Sequence, residues 1–116
     1  RALAQGQDRC LTIRNTEGVY RLNLEEILYC YSDRRKVMVV LERQKIGFYG
    51  KLDELEARLG RSFVRIHQRY LVRAAAVDYI GADAVRIQGQ SLPISRSMRQ
   101  QATRLLARVV LGEENA

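Results

Sequence analysis

The sequence predicts a mainly β domain with a short internal helix and a C-terminal helix, and three observations carry that prediction. Short runs rich in β-branched and aromatic residues recur between turn signals through the first two thirds of the chain. Leu52, Leu55 and Leu59 have the spacing of one helical face. Near the end, Met98, Ala102, Leu105, Leu106 and Val109 recur at i, i+4, i+7, i+8 and i+11, a second helical stripe.

The elements follow in order. Cys10 to Arg14 alternates as a strand. Asn15-Thr16-Glu17-Gly18 is a turn, and Val19 to Leu22 completes a hairpin. Ile27 to Tyr31, Lys36 to Leu41 and Lys45 to Tyr49 read as three more strands, the first two separated by the charged tip Ser32-Asp33-Arg34-Arg35. After Gly50 the period changes to helical, with Glu54 and Arg58 placed to pair at i, i+4 and Gly60 as the stop. Phe63 to His67 suits a strand that bends near Gln68, with turn-like residues after it. In that strand Phe63, Arg65 and His67 share one face, and Val64 and Ile66 the other. Ala76 to Ile80 and Ala84 to Ile87 flank the turn Gly81-Ala82-Asp83. Gln88 to Gln90 is another turn, and Ser91 to Ile94 an edge segment, because Pro93 has no amide hydrogen to give a ladder. Ser95 or Ser97 is placed to cap the last helix, and Gly112 ends it.

The 116 residues suit one domain. Residues 1–7 read as a linker remnant, 8–112 as the domain and 113–116 as a frayed tail. Twenty basic residues against thirteen acidic ones leave a net charge of +7, which favours a polyanionic partner without choosing among nucleic acid, acidic protein and anionic membrane. Cys10 and Cys30 have no metal-ligand spacing and fall in apolar runs, so both read as buried free thiols. No apolar stretch is long enough to span a bilayer and no signal peptide opens the chain, so a cytoplasmic protein with no membrane partner is expected.

The chain offers little to an enzyme. It has one histidine, no Cys/His ligand set, no phosphate-binding glycine loop and no nucleophile elbow, so no catalytic residue, metal or cofactor is assigned. What stands out is the stretch from Phe63 to Arg73, which sets three arginines and His67 among bulky apolar residues. A strand through His67 lets the polar pair Gln68-Arg69 protrude at the bend, with the His67 imidazole hydrogen-bonded to backbone. Two other tips have the same character: Arg34-Arg35-Lys36 and Ser95-Arg96. Taken singly, such basic tips are usually only solvated. Three of them on a β scaffold are an arrangement in which loops carry recognition groups. Arginine reads guanine edges and glutamine reads adenine, while lysine, serine and backbone amides hold phosphates.

The stretch Phe63-Val64-Arg65-Ile66-His67-Gln68-Arg69-Tyr70-Leu71-Val72, followed by Leu92-Pro93-Ile94-Ser95-Arg96, resembles the LytTR DNA-binding family. The segment Ile46 to Leu55 is similar to that family's strand leading into its small helix, and the likeness is nearest to the accessory-gene-regulator branch. The resemblance runs from about Cys10 to Leu106. It implies an output domain of bacterial response regulators, built of small β-sheets, that inserts loop residues into the major groove. It implies base contacts from Arg35 or Lys36, from Gln68 and from Arg96. It implies phosphate contacts near Arg69 and Arg99, to which Arg34 and Ser95 are added from their place in the tips. His67 and Arg73 are further candidates. Gln68-Arg69 departs from the family's usual Arg-Ser or Asn-Ser, and Arg73 stands where asparagine is usual, so the base preferred at Gln68 is expected to differ from that of relatives.

The reading is therefore sequence-specific binding of double-stranded DNA by a transcriptional regulator in a two-component system. Pairs are expected on repeated half-sites, with an N-terminal receiver domain in the full-length protein. The rivals are an RNA-binding module, with Tyr31 and Tyr49 as conceivable stacking platforms although both read as core, and a basic protein-interaction domain.

Overall fold

The computed structural model describes residues 9–112. The linker remnant expected at 1–7 and the tail expected at 113–116 lie outside the described residues. Among the described residues, ten strands form three antiparallel sheets. β1 (Cys10–Asn15) and β2 (Gly18–Asn23) are a hairpin. Asn23 then caps a 3₁₀ turn, Leu24–Glu26, in a reciprocal capping box with Glu26. β3 (Ile27–Asp33), β4 (Lys36–Leu41), β5 (Lys45–Tyr49), β6 (Phe63–His67) and β7 (Tyr70–Arg73) make a five-stranded sheet in the order β5-β4-β3-β7-β6. β8 (Tyr79–Ile80), β9 (Ala84–Ile87) and β10 (Gln90–Pro93) make the third sheet, in which β10 is an edge, where Pro93 is tolerated. The helices are α1 (Leu52–Leu59) and α2 (Arg99–Val110).

The five-stranded sheet is covered on both faces, which explains why Ile27 to Cys30 is buried without alternation. On one face Leu52, Leu55 and Leu59 of α1 and Leu11, Ile13 and Leu22 of the hairpin pack against Cys30, Val37, Val39, Phe63 and Leu71. On the other, the third sheet and α2 bring Val85, Ile87, Leu92, Ala102 and Leu106 against Tyr29, Val64, Ile66 and Val72. Two glycines have a local reason. Gly60 ends α1 at φ 76°, a left-handed conformation that side chains resist. Gly47 lies beneath Met38, whose sulfur would be 2.7 Å from an added Cβ.

Several expectations are corrected. Tyr70 to Val72 are not turn-like. They form part of β7, the strand between β3 and β6, because the Gln68-Arg69 turn occupies only two residues. A β-bulge between Arg65 and His67 places His67 opposite Tyr70 instead of continuing the face of Phe63 and Arg65. The expected strand from Ala76 begins only at Tyr79, since Ala74–Ala76 is a 3₁₀ turn. The β3–β4 tip contracts to Arg34-Arg35. Arg58 donates to the Thr12 carbonyl at 3.2 Å, and no Glu54–Arg58 pair occurs among the described residues. Neither Ser95 nor Ser97 caps α2; Met98 takes the N-cap position after a 3₁₀ turn, Arg96–Met98, with no side-chain bond. Cys30 is fully buried as expected, but Cys10 is half-buried, and both thiols are free. Tyr49 is not core at all, being 73% exposed, and Tyr31 is half-buried.

Candidate nucleic-acid interface

Antiparallel pairing decides which strand ends meet. Asp33 pairs with Lys36, and Lys36 with Tyr49, so the β3–β4 tip and the end of β5 share one end of the five-stranded sheet. Tyr31 pairs with Tyr70 and Tyr70 with His67, which brings the β6–β7 turn to the same end. The Ser32 amide donates to the Arg69 carbonyl at 3.1 Å, stitching the β6–β7 turn to the end of β3. The Ser95 amide donates to the Ile66 carbonyl at 2.8 Å, so the β10–α2 junction abuts β6. The three segments singled out in the sequence therefore lie side by side along one end of one sheet.

The β6–β7 turn is the most heavily braced of them. His67 Nδ1 accepts from the Arg69 amide at 3.0 Å, which closes the two-residue turn with a side chain-to-backbone bond. The His67 ring meets the Tyr70 ring edge-on at 5.6 Å. Arg65 reaches the turn from below, its Nε donating to the His67 carbonyl at 2.9 Å and its Nη2 to the Gln68 carbonyl at 2.6 Å. Its Nη1 binds Asp53 at 2.8 Å and Glu56 at 2.7 Å on α1. One guanidinium thus ties the turn to α1 and compensates two carboxylates that would otherwise oppose an anionic ligand.

Arg69 is exposed, yet its Nε and Nη2 both donate to the Ser32 carbonyl, at 3.3 and 3.1 Å. Among the described residues no hydrogen bond engages the side chains of Arg34, Arg35, Gln68, Arg96 or Arg99, and all five are exposed. The Lys36 ammonium rests 5.3 Å from the centre of the Tyr49 ring, a cation–π contact worth about 0.5–1 kcal/mol at an exposed site. The Arg35 carbonyl accepts from the Gly50 amide at 3.2 Å, which joins the end of β5 to the tip. Ser95 is half-buried, its hydroxyl 3.5 Å from that of Ser97. Arg96 and Arg99 line an open depression with Tyr79 and Arg104.

Arg73 is not brought to this end. It pairs with Phe63 at the opposite end of β6 and β7, and its Nε donates to the Ile27 carbonyl at 2.6 Å. Two features escaped the sequence reading. Arg65 had one available signal, a charge on an inward-facing strand position that needs partners, but those partners sit across the fold. Tyr49, weighed as a stacking platform but read as core, carried no signal of its exposure, because only the sheet order leaves its end of β5 uncovered.

The model of the LytTr DNA-binding domain family matches residues 17–107. The chain belongs to the LytTR DNA-binding family. Among solved structures, the LytTr DNA-binding domain of a protein described as a methyl-accepting/DNA response regulator from Bacillus cereus is similar, with a TM-score of 0.75 at 23% identity. The match covers 84% of this chain and 96% of that one. That likeness establishes the fold. No curated protein matches the chain in sequence. The LytTR fold of small sheets and two helices is thus the one foreseen. The polyanion favoured by the net charge is DNA, and no described helix is long and apolar enough to cross a membrane.

Proposed function

We propose that this LytTR domain binds duplex DNA sequence-specifically as the output domain of a bacterial transcriptional regulator, reading the major groove with loop residues. The observation that carries this is the alignment of three polar tips along one sheet end, each braced by backbone bonds while Arg34, Arg35, Gln68 and Arg96 stay exposed with no side-chain hydrogen bond among the described residues. Strands lie about 4.8 Å apart, so five of them present a row about 19 Å long. That is roughly half of the 34 Å helical turn, a fitting footprint for one half-site.

In this proposal Arg35, Lys36, Gln68 and Arg96 contact bases, while Arg34, Arg69, Ser95 and Arg99 hold phosphates. The Arg69 contact would use the edge of the guanidinium left over from Ser32. His67 acts by shaping the turn, and Arg73 is left to its backbone bond far from the row. Two copies would occupy repeated half-sites about one helical turn apart, and a receiver domain would precede this domain in the full-length protein.

Selection of bound duplexes from a random pool tests the reading: one enriched motif, repeated about a turn apart, is expected. On that site Arg96→Ala should cost about 1–3 kcal/mol and relax discrimination at one base. Wild-type affinity of Arg96→Ala for both the site and scrambled DNA would remove Arg96 from the base contacts. No enriched motif, together with a stable complex with one acidic protein, would favour the protein-interaction reading instead.

A further inference from the structure

We infer that Tyr49 is a fourth DNA-contacting element of this domain, one that grips the sugar–phosphate strand flanking the bases faced by the β3–β4 tip. The inference rests on the duplex-DNA reading above. At 73% exposure Tyr49 is the most exposed large apolar side chain among the described residues. A free-standing aromatic ring is ordinary on a loop. Here it ends the edge strand of the fold's largest sheet, directly opposite Lys36, so both side chains stand on one face at the sheet end that carries the tips.

Two contacts fix the ring relative to that end. The Gly50 amide holds the Arg35 carbonyl at 3.2 Å, and the Lys36 ammonium lies 5.3 Å from the ring centre. Asp33, Arg34, Arg35, Lys36 and Tyr49 together line one notch. The notch sets an aromatic wall beside three cations and the Asp33 carboxylate, a net positive lining that complements a deoxyribose flanked by phosphates: sugar against the ring, phosphate to the phenol hydroxyl and Arg34, with Arg35 and Lys36 left to the bases. Strand order places Tyr49 at the outer end of the row, with Arg96 at the other. β5 is the outermost strand of that row, and its spacing of about 4.8 Å, against a rise of about 3.4 Å per base pair, corresponds to one to two base pairs at the end of the footprint. Shape and spacing of the flank, more than its base identity, are what such a contact senses.

The test measures affinity of the full chain for its selected duplex and for the same duplex shortened by two base pairs on the flank beyond the β3–β4 tip. Tyr49→Ala should bind the long duplex about three- to tenfold more weakly, with Tyr49→Phe between it and wild type. Wild type should fall to the Tyr49→Ala level on the short duplex, where the variant loses nothing more. The salt slope should be unchanged in Tyr49→Ala and reduced by about one in Lys36→Ala, because only a lost charge changes counterion release. Nitration of Tyr49 in the wild-type chain should be suppressed by the long duplex, a readout that does not depend on how the variants fold. Wild-type affinity of Tyr49→Ala on the long duplex, with Arg96→Ala weakened, overturns the Tyr49 contact and leaves the DNA reading standing. Absence of any preferred duplex for wild type overturns both. Nitration blocked by single-stranded RNA but not by the duplex overturns the contact in favour of base stacking.

Discussion

Arg34 adopts φ 62° at the β3–β4 tip, a left-handed conformation that costs a non-glycine residue about 1–2 kcal/mol. A strained arginine on an exposed tip is tolerated where its charge is wanted, so stability and binding should separate there. Arg34→Gly is predicted to raise stability by about 1 kcal/mol in denaturant titration, while weakening binding to all DNA sequences alike and lowering the salt slope by about one. A second residue-scale prediction concerns Cys30. Burial pushes its thiol from 9.0 up to about 12, and burial also raises the Tyr29 hydroxyl. The unfolded thiol ionises first as pH rises, so stability is held below pH 9 and declines between 9 and about 12. Urea titrations across that window should show the decline, with a shallower slope for Cys30→Ala. In the native chain at pH 8, iodoacetamide should label half-buried Cys10 and spare Cys30.

At the scale of elements, the β6–β7 hairpin is aimed by α1 through Arg65. The guanidinium makes four directional bonds at once, to two carbonyls of the turn and two carboxylates of the helix. Lysine carries the same charge but has no planar fork. Arg65→Lys should therefore keep the net charge and salt slope, yet loosen the turn. Faster hydrogen exchange at the Arg69 amide and weaker discrimination at the base faced by Gln68 are the expected signs. Equal loss of affinity on all sequences, with Arg69 exchange unchanged, would mean that Arg65 acts only through charge. The bulge before His67 belongs to the same device, since it swings the imidazole onto Tyr70 and frees Nδ1 for the Arg69 amide.

For the whole molecule, the five-stranded sheet is both the core and the mount for the row of tips. Leu71 lies fully buried in β7, between β3 and β6. Leu71→Ala should cost about 2–5 kcal/mol, a large part of the total stability of about 5–15 kcal/mol for a domain of this kind. Thermal unfolding should shift down accordingly, and DNA binding should be lost together with the fold instead of separately from it. The two layers explain why: hairpin and α1 on one face, third sheet and α2 on the other, with the tips left at the uncovered end.

Local pattern was legible from the residues. The hairpin around Asn15 to Gly18, the leucine face of α1, the glycine stop at Gly60, the edge placement of Pro93 and the stripe of α2 all follow from side-chain periodicity and backbone preference, which act over a few residues. The polar character of Arg34-Arg35, Gln68-Arg69 and Ser95-Arg96 was equally visible. Strand order was not. That β7 lies between β3 and β6, that Arg65 binds residues 9 and 12 positions away on α1, and that Ser95 docks on Ile66 depend on long-range pairing, which no local pattern encodes. The sequence by itself determined most of the elements, β7 excepted, and the chemistry of three tips. The tertiary structure alone decided that they stand in one row, that Tyr49 joins its end and that Arg73 does not, because only sheet order sets which strand ends are neighbours.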